Sequence, residues 1–202
     1  MDYQSRYANK EFYWGLKPNK IVVDSIKDLN VGAKVLDMGC GEGRNSFFLA
    51  ENKFDVTAVD SSEKGIEKLN KFAEKESLKI KTSIADVCYF LQECDKFDAI
   101  FGINVLQFIS EKDIFNLITL MQSKTILNGL NIITAFVAEN QAQKEKNLLR
   151  NRYFFDEGEL KMLYKDWEII FYEEKLGNWE THGESEHRHF TVKLIAKKKS
   201  LL

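Results

Sequence analysis

Val35-Leu36-Asp37-Met38-Gly39-Cys40-Gly41-Glu42-Gly43-Arg44-Asn45-Ser46 is the stretch on which the fold of this chain turns. Apolar residues around one acid read as the end of a buried strand. Three alternating glycines read as a tight turn, because glycine alone supplies left-handed backbone without strain. Arg44-Asn45-Ser46-Phe47-Phe48-Leu49-Ala50 then opens a helix. A strand, a glycine turn and a helix N-terminus form a socket in which backbone approaches a nucleotide-like ligand closely.

Spacing narrows the ligand. A dinucleotide fingerprint needs G-x-G-x-x-G. Here the glycines fall at 39, 41 and 43, and Arg44 stands in the place of the third fingerprint glycine. Asp37 precedes the turn, a poor neighbour for a pyrophosphate and a good one for an ammonium group. These features favour S-adenosylmethionine, with its amino-acid end and sulfonium. The pattern resembles motif I of the class I methyltransferases. Asp37, Gly39, Cys40, Gly41, Gly43, Arg44 and Asn45 are the expected socket residues. Cys40 is read as a small side chain rather than a reactive one.

Outward from the turn, strands alternate with helical stretches. Strands are expected at 34–36, 55–59, 80–84, 97–103, 131–137, 167–174 and 189–196. A helix capped by Ser61 or Ser62 runs to about Glu76, with Ile66, Leu69 and Phe72 on one face. Ser110-Glu111-Lys112-Asp113 reads as a capping box for a helix to Ser123, and Asp156 or Glu159 starts another that reaches Tyr164. The alternation predicts a three-layer Rossmann-like α/β sandwich with a seven-stranded, mostly parallel sheet and an antiparallel last strand. The whole chain, 1–202, reads as one domain. Residues 1–20, with Tyr3, Tyr7, Phe12, Tyr13 and Trp14, are expected as an aromatic lid, and Tyr13 and Trp14 as cofactor contacts. Residues 138–152 are polar and charged and are expected to be a mobile connection.

In an open parallel sheet the ligand lies outside the carboxyl ends of the strands. That rule nominates Asp60 with Ser61 after the second strand, Asp86 with Val87 after the third, and Asn104 after the fourth. A carboxylate at Asp60 can accept both ribose hydroxyls. In class I methyltransferases the acid at the Asp86 place accepts the adenine amino group, and the next backbone N–H meets a ring nitrogen. A helix N-cap is the plain alternative for Asp60 and Asp86, and their joint placement at strand ends favours the ligand reading.

The chain's three histidines fall within Trp179-Glu180-Thr181-His182-Gly183-Glu184-Ser185-Glu186-His187-Arg188-His189. This segment joins the last two strands and, if the last is antiparallel, hangs over the ligand edge. His182, His187, Arg188 and His189 are therefore the candidate catalytic residues. An anion site built from Arg188 and protonatable histidines is favoured over a metal site. A solvated polar loop is the plain alternative. No metal is assigned.

The net charge of -2 argues against a nucleic-acid surface. No apolar run of membrane-spanning length occurs, and the start lacks a signal peptide. A cytoplasmic protein, monomer or homodimer, acting on a small molecule without nucleic-acid or membrane partners is expected. Cys40, Cys88 and Cys94 lack metal-ligand spacing and read as free thiols.

The chain also resembles the TehB-type tellurite-resistance methyltransferases, from Tyr13 onward. The resemblance rests on Val35 to Ser46 with its Gly-Arg-Asn-Ser ending and on Val56-Thr57-Ala58-Val59-Asp60. It rests further on Phe154-Phe155-Asp156-Glu157-Gly158-Glu159-Leu160 with Tyr164 and Trp167-Glu168, and on Tyr172-Glu173-Glu174 leading into the histidine loop. It implies methyl transfer to tellurite- or selenite-type oxyanions, with His182 and Arg188 in assisting roles. The loop departs from the family pattern, since His187 and His189 flank the arginine and Trp179-Glu180 precede His182. A thiol or other small nucleophile stays open as acceptor. A nicotinamide oxidoreductase and a non-catalytic cofactor-binding module stay open as other classes.

Overall fold

The computed structural model describes residues 3–9, 11–177, 180–181 and 186–200. In chain order it contains α1 (Tyr3–Tyr7), α2 (Lys20–Ser25), β1 (Lys34–Met38), α3 (Arg44–Glu51), β2 (Asp55–Asp60), α4 (Glu63–Lys75), β3 (Ile80–Ile84), α5 (Val87–Glu93) and β4 (Phe97–Ile103). Then follow α6 (Glu111–Ser123), β5 (Thr125–Phe136), α7 (Gln141–Leu148), α8 (Glu159–Leu163), β6 (Glu168–Leu176), β7 (Glu180–Thr181), β8 (Glu186–His187) and β9 (Phe190–Lys197). The main sheet has the order β3-β2-β1-β4-β5-β9-β6, and β7 pairs with β8 in a small ladder. β1 to β5 are parallel, and β9 runs antiparallel between β5 and β6. The strand order reverses between β1 and β4, which is where such sheets open a crevice for ligand.

The two sheet faces explain the strand sequences. Leu36, Met38, Ile100 and Ile133 pack on one side with Leu91, Ile114, Met121 and Leu160 from α5, α6 and α8. Val35, Phe101 and Ile132 pack on the other with Ile21, Val22 and Leu49 from α2 and α3. Strands covered on both faces carry apolar residues at consecutive positions, as β4 does. Three polar side chains in this core are linked to one another. Tyr164 Oη donates to Asn131 Oδ1 at 2.7 Å, and Asn131 Nδ2 donates to Thr125 Oγ1 at 2.6 Å.

Several details depart from expectation. β5 begins at Thr125 rather than Asn131, with its register against β4 shifting between Phe97 and Ala99. Residues 138–152 contain α7, whose N-cap Asn140 accepts the Gln143 amide. Ser110 makes no side-chain bond to the α6 backbone. It donates instead to Asp113 Oδ2 at 2.5 Å, so the expected capping box closes between side chains. Ser62, not Ser61, caps α4 by accepting the Gly65 amide.

Candidate active site

The glycine turn sits at the carboxyl end of β1, against the corner that follows β4. Gly39 has φ +68°, and a Cβ there would lie 2.3 Å from Val105 Cγ2, so both backbone geometry and the β4 corner demand glycine. The Gly39 and Cys40 amides donate to the Val59 carbonyl. Cys40 is buried, and burial pushes its thiol pKa well up, in keeping with a spacer rather than a nucleophile.

Each acid around the turn has defined work. Asp37 is buried and accepts a 2.6 Å hydrogen bond from Ser46 Oγ. Burial raises its pKa to about 6, against the opposing pull of the Ser46 hydroxyl and the Arg44 charge. Asp60 accepts the Gly41 amide on Oδ2 and the Ser62 amide on Oδ1, both at 2.8 Å. It is therefore not the α4 cap, and each oxygen keeps a lone pair directed elsewhere. Burial raises its pKa too, partly offset by those two amides. Asp86 is the α5 N-cap, accepting the Cys88 and Tyr89 amides on Oδ1. The capping alternative thus holds at Asp86, which is exposed at the end of β3 with Val87 buried behind it.

Asn104 closes the crevice opposite. It adopts φ +54°, held by a 3.0 Å bond from its amide to Thr134 Oγ1, while that hydroxyl donates to Asn104 Oδ1 at 2.8 Å. Non-glycine residues persist in left-handed backbone where the surroundings impose it, and such positions cluster at functional sites. Asn104 and Ser61 are exposed, Asp60 and Gly39 half-buried, so the described residues form an open crevice.

Asn45 and the N-terminal aromatics are tied to the turn and to one another. The Asn45 side chain is buried and accepts the Asn19 amide, so it anchors the N-terminal segment rather than facing the crevice. Tyr13 donates its amide to Glu42 Oε2 at 2.8 Å, and its hydroxyl accepts from Arg6. Trp14 packs edge-on against Tyr13 and hydrogen-bonds Tyr7.

Glu42 and Gln4, which sequence reasoning passed over, join Tyr7 and Tyr3 of the expected aromatic segment in organising this strap. Glu42 is buried in the turn and forms a 2.5 Å ion pair with Lys68 of α4. Tyr7 is buried over Gly41, its hydroxyl 2.8 Å from where a Cβ would stand, and burial raises its pKa. Tyr3, one helical turn earlier, meets Phe108 edge-on at 5.4 Å. Gln4 Oε1 accepts from Ser62 Oγ and the Lys64 amide. α1 therefore spans from the α4 lip of the crevice to the β4 lip. The only sequence signal for this was the aromatic density of residues 3–14.

On the acceptor side, β9 starts at the carboxyl edge, as the antiparallel reading requires. The His189 ring stacks on Phe136 at 4.1 Å and 14°. Arg188 is exposed beside it. His187 lies in β8 with its backbone paired to Glu180. His182 falls outside the described residues. Among the described residues no group of three or more His, Cys, Asp or Glu is placed to hold a metal ion, and no helix is long and apolar enough to cross a membrane.

The donor set suits a cationic cofactor. Asp37 and Asp60 lie at the turn and Asp86 follows β3, the second strand along from β1, Arg44 stands beside Asp37, and Glu42 and Lys68 neutralise each other. Pyrophosphate would meet this field unfavourably; an ammonium and a sulfonium meet it favourably. The glycine turn at the strand-order switch, with an acid near the end of β1 and others at the end of β2 and after β3, is the architecture of a class I S-adenosylmethionine-dependent methyltransferase. NodS of Bradyrhizobium japonicum, an N-methyltransferase solved with S-adenosylhomocysteine, shares the fold at TM-score 0.72 and 14% identity over 97% of this chain and 96% of its own.

A family model described as tellurite resistance protein TehB matches residues 6–195. The probable S-adenosyl-L-methionine-dependent methyltransferase TehB of Haemophilus influenzae is 35% identical over 201 residues, 95% of this chain and 68% of that protein. The crystal structure of TehB from Haemophilus influenzae superposes with TM-score 0.78 at 29% identity, covering 98% of this chain and 66% of that one. The chain belongs to the TehB family of S-adenosylmethionine-dependent methyltransferases, and spans about two thirds of the length of these relatives.

Proposed function

We propose that this chain transfers the methyl group of S-adenosylmethionine to a small soft oxyanion of the tellurite or selenite type. The observation that carries the reading is the position of Arg188 and His189 at the start of β9, on the edge where the parallel strands end, with the His189 ring stacked on Phe136. When bound, S-adenosylmethionine supplies a methyl group already activated on a sulfonium. Asp60 takes the ribose hydroxyls and Asp86 with Val87 the adenine edge, while Asp37 sets the negative field for the amino-acid end. Gly39, Gly41 and Gly43 let backbone approach, and Arg44 and Ser61 flank the same crevice.

Arg188 holds the acceptor's negative charge, and His182, His187 and His189 set its protonation state. A chalcogen lone pair attacks the methyl carbon as the carbon–sulfur pair leaves with sulfur. A dianion and a sulfonium become a methylated monoanion and a neutral thioether. No strong base is needed, so positioning supplies much of the rate. The α1 strap, Tyr13 and Trp14 exclude water from the closed crevice.

The test is turnover. S-adenosylhomocysteine release is measured with tellurite, selenite and a panel of thiols. Oxyanion-dependent release, lost in Arg188→Ala while S-adenosylhomocysteine affinity stays within about twofold, supports the reading. Release with thiols alone shifts the acceptor class, and release with no acceptor reduces the chain to a binding module.

A further inference from the structure

The 138–152 segment carries a second cation that the histidine loop does not explain. Arg152, half-buried, places its guanidinium 5.4 Å from the centroid of the Phe108 ring. Phe108 follows the Asn104 corner directly, and its ring meets Tyr3 of the strap. Arg152 lies close enough to Tyr3 for its charge to act on that phenol, as does Arg6. Yet among the described residues Arg152 forms no ion pair with any carboxylate. Arginines withdrawn from water are ordinarily paired, since a desolvated charge without a partner is costly. A cleft of about 260 Å³ opens beside it, lined by Ser110, Glu111, Lys112, Leu148, Asn151 and Arg152.

The position matters as much as the missing partner. β4 and β5 end side by side, Ile103 paired with Thr134. The loop bearing Phe108 leaves one and the segment bearing Arg152 leaves the other. Contacts run from Gly41 through Tyr7, Tyr3 and Phe108 to Arg152. Arg152 thus stands at the end of the crevice remote from the glycine turn. Its planar guanidinium, braced on an aromatic face, keeps edge N–H groups to offer a planar or pyramidal oxyanion.

We propose that Arg152 binds the negatively charged group of the methyl acceptor, as a second cation in addition to Arg188, held on the Phe108 ring. This deepens the proposed function and rests on an anionic acceptor. Two cations fix orientation as well as charge, limiting the directions in which the lone pair can point.

The experiment uses the full chain saturated with S-adenosylhomocysteine and titrates it calorimetrically with sodium selenite. Arg152→Gln is expected to weaken selenite binding at least tenfold and Arg152→Lys by less, with S-adenosylhomocysteine affinity and melting temperature near wild type. Unchanged selenite affinity in Arg152→Gln overturns the proposal. Loss of selenite and cofactor binding together also overturns it, because the role is then structural. Should the wild type bind no selenite but methylate thiols, the oxyanion reading fails on its own. Arg152 is then judged by 3-mercaptopropionate against 2-mercaptoethanol. A selective rise in KM for the anionic thiol in Arg152→Gln sustains it, and an equal change for both overturns it.

Discussion

The two ends of the crevice are built on different terms. Around the glycine turn, polar side chains are committed to backbone amides and to fixed side-chain partners: Asp60 to the Gly41 and Ser62 amides, Asp37 to the Ser46 hydroxyl, Glu42 to the Tyr13 amide and Lys68. Around the ends of β5 and β9, charged and aromatic groups lie against rings instead, His189 on Phe136 and Arg152 on Phe108. Hydrogen bonds to backbone fix a position; a ring face lets a flat cation slide. A cofactor of constant shape suits the first arrangement. An acceptor that arrives and leaves with a different charge suits the second.

The largest effect expected from breaking this contrast is at Glu42. Its side chain is 3% exposed and that of Lys68 16%, so Glu42→Ala strands a mostly desolvated ammonium and releases the Tyr13 amide. Breaking a fully buried pair costs about 3–5 kcal/mol, and the partial exposure of Lys68 lowers that to about 2. For a domain of this size the melting temperature falls by roughly 4–8 °C. Cofactor affinity falls with it, because the strap loses its anchor. Calorimetric melting and S-adenosylhomocysteine titration check both. A variant that melts as wild type would place the anchor elsewhere.

How far this was legible beforehand depends on whether partners were local. The Val35–Gly43 turn and the antiparallel last strand were readable, since strand, turn and helix signals adjoin in sequence. Glu42 drew no reading of its own between the glycines because its partner Lys68 is 26 residues away. Asn45 looked like a ligand contact because nothing near it hinted at Asn19. α2, α5 and α7 span at most eight residues, too few turns for an apolar period to emerge. β5 was expected to start late because Asn128-Gly129 reads as a turn, whereas the strand runs through with a shifted register.

A second, smaller effect separates the halves by pH. The Asp37 pKa of about 6 lies above its ordinary value of 3.8 because of burial. A bound cation favours the ionised form, so S-adenosylmethionine affinity is expected to be level above pH 7. It should fall below pH 6, by at most tenfold per pH unit. Stability of the free protein moves the other way. A raised folded pKa means this group's contribution is complete below 3.8 and is lost as pH rises through 6. Asp37→Asn should flatten both profiles, and Ser46→Ala should shift their midpoints upward by removing the hydroxyl that favours the carboxylate. Affinity that stays level to pH 5 in the wild type would show that Asp37 does not sense the cofactor's charge.

The smallest effect is at the point where the two halves touch. Tyr3 and Phe108 meet edge-on across the crevice, at 80° and 5.4 Å, and such a pair contributes about 0.5–1.5 kcal/mol beyond its buried area. Tyr3→Leu keeps the apolar body and removes the ring geometry. If this contact latches the strap over bound cofactor, S-adenosylhomocysteine should dissociate about 2–10-fold faster by stopped flow, with association little changed, since the contact forms after entry. The melting temperature should barely move, because α1 keeps Tyr7 over Gly41 and Gln4 on α4. An unchanged dissociation rate would mean that the strap is held wholly from the glycine-turn side, through Glu42, Asn45 and Tyr7, and that the acceptor end plays no part in retaining the cofactor.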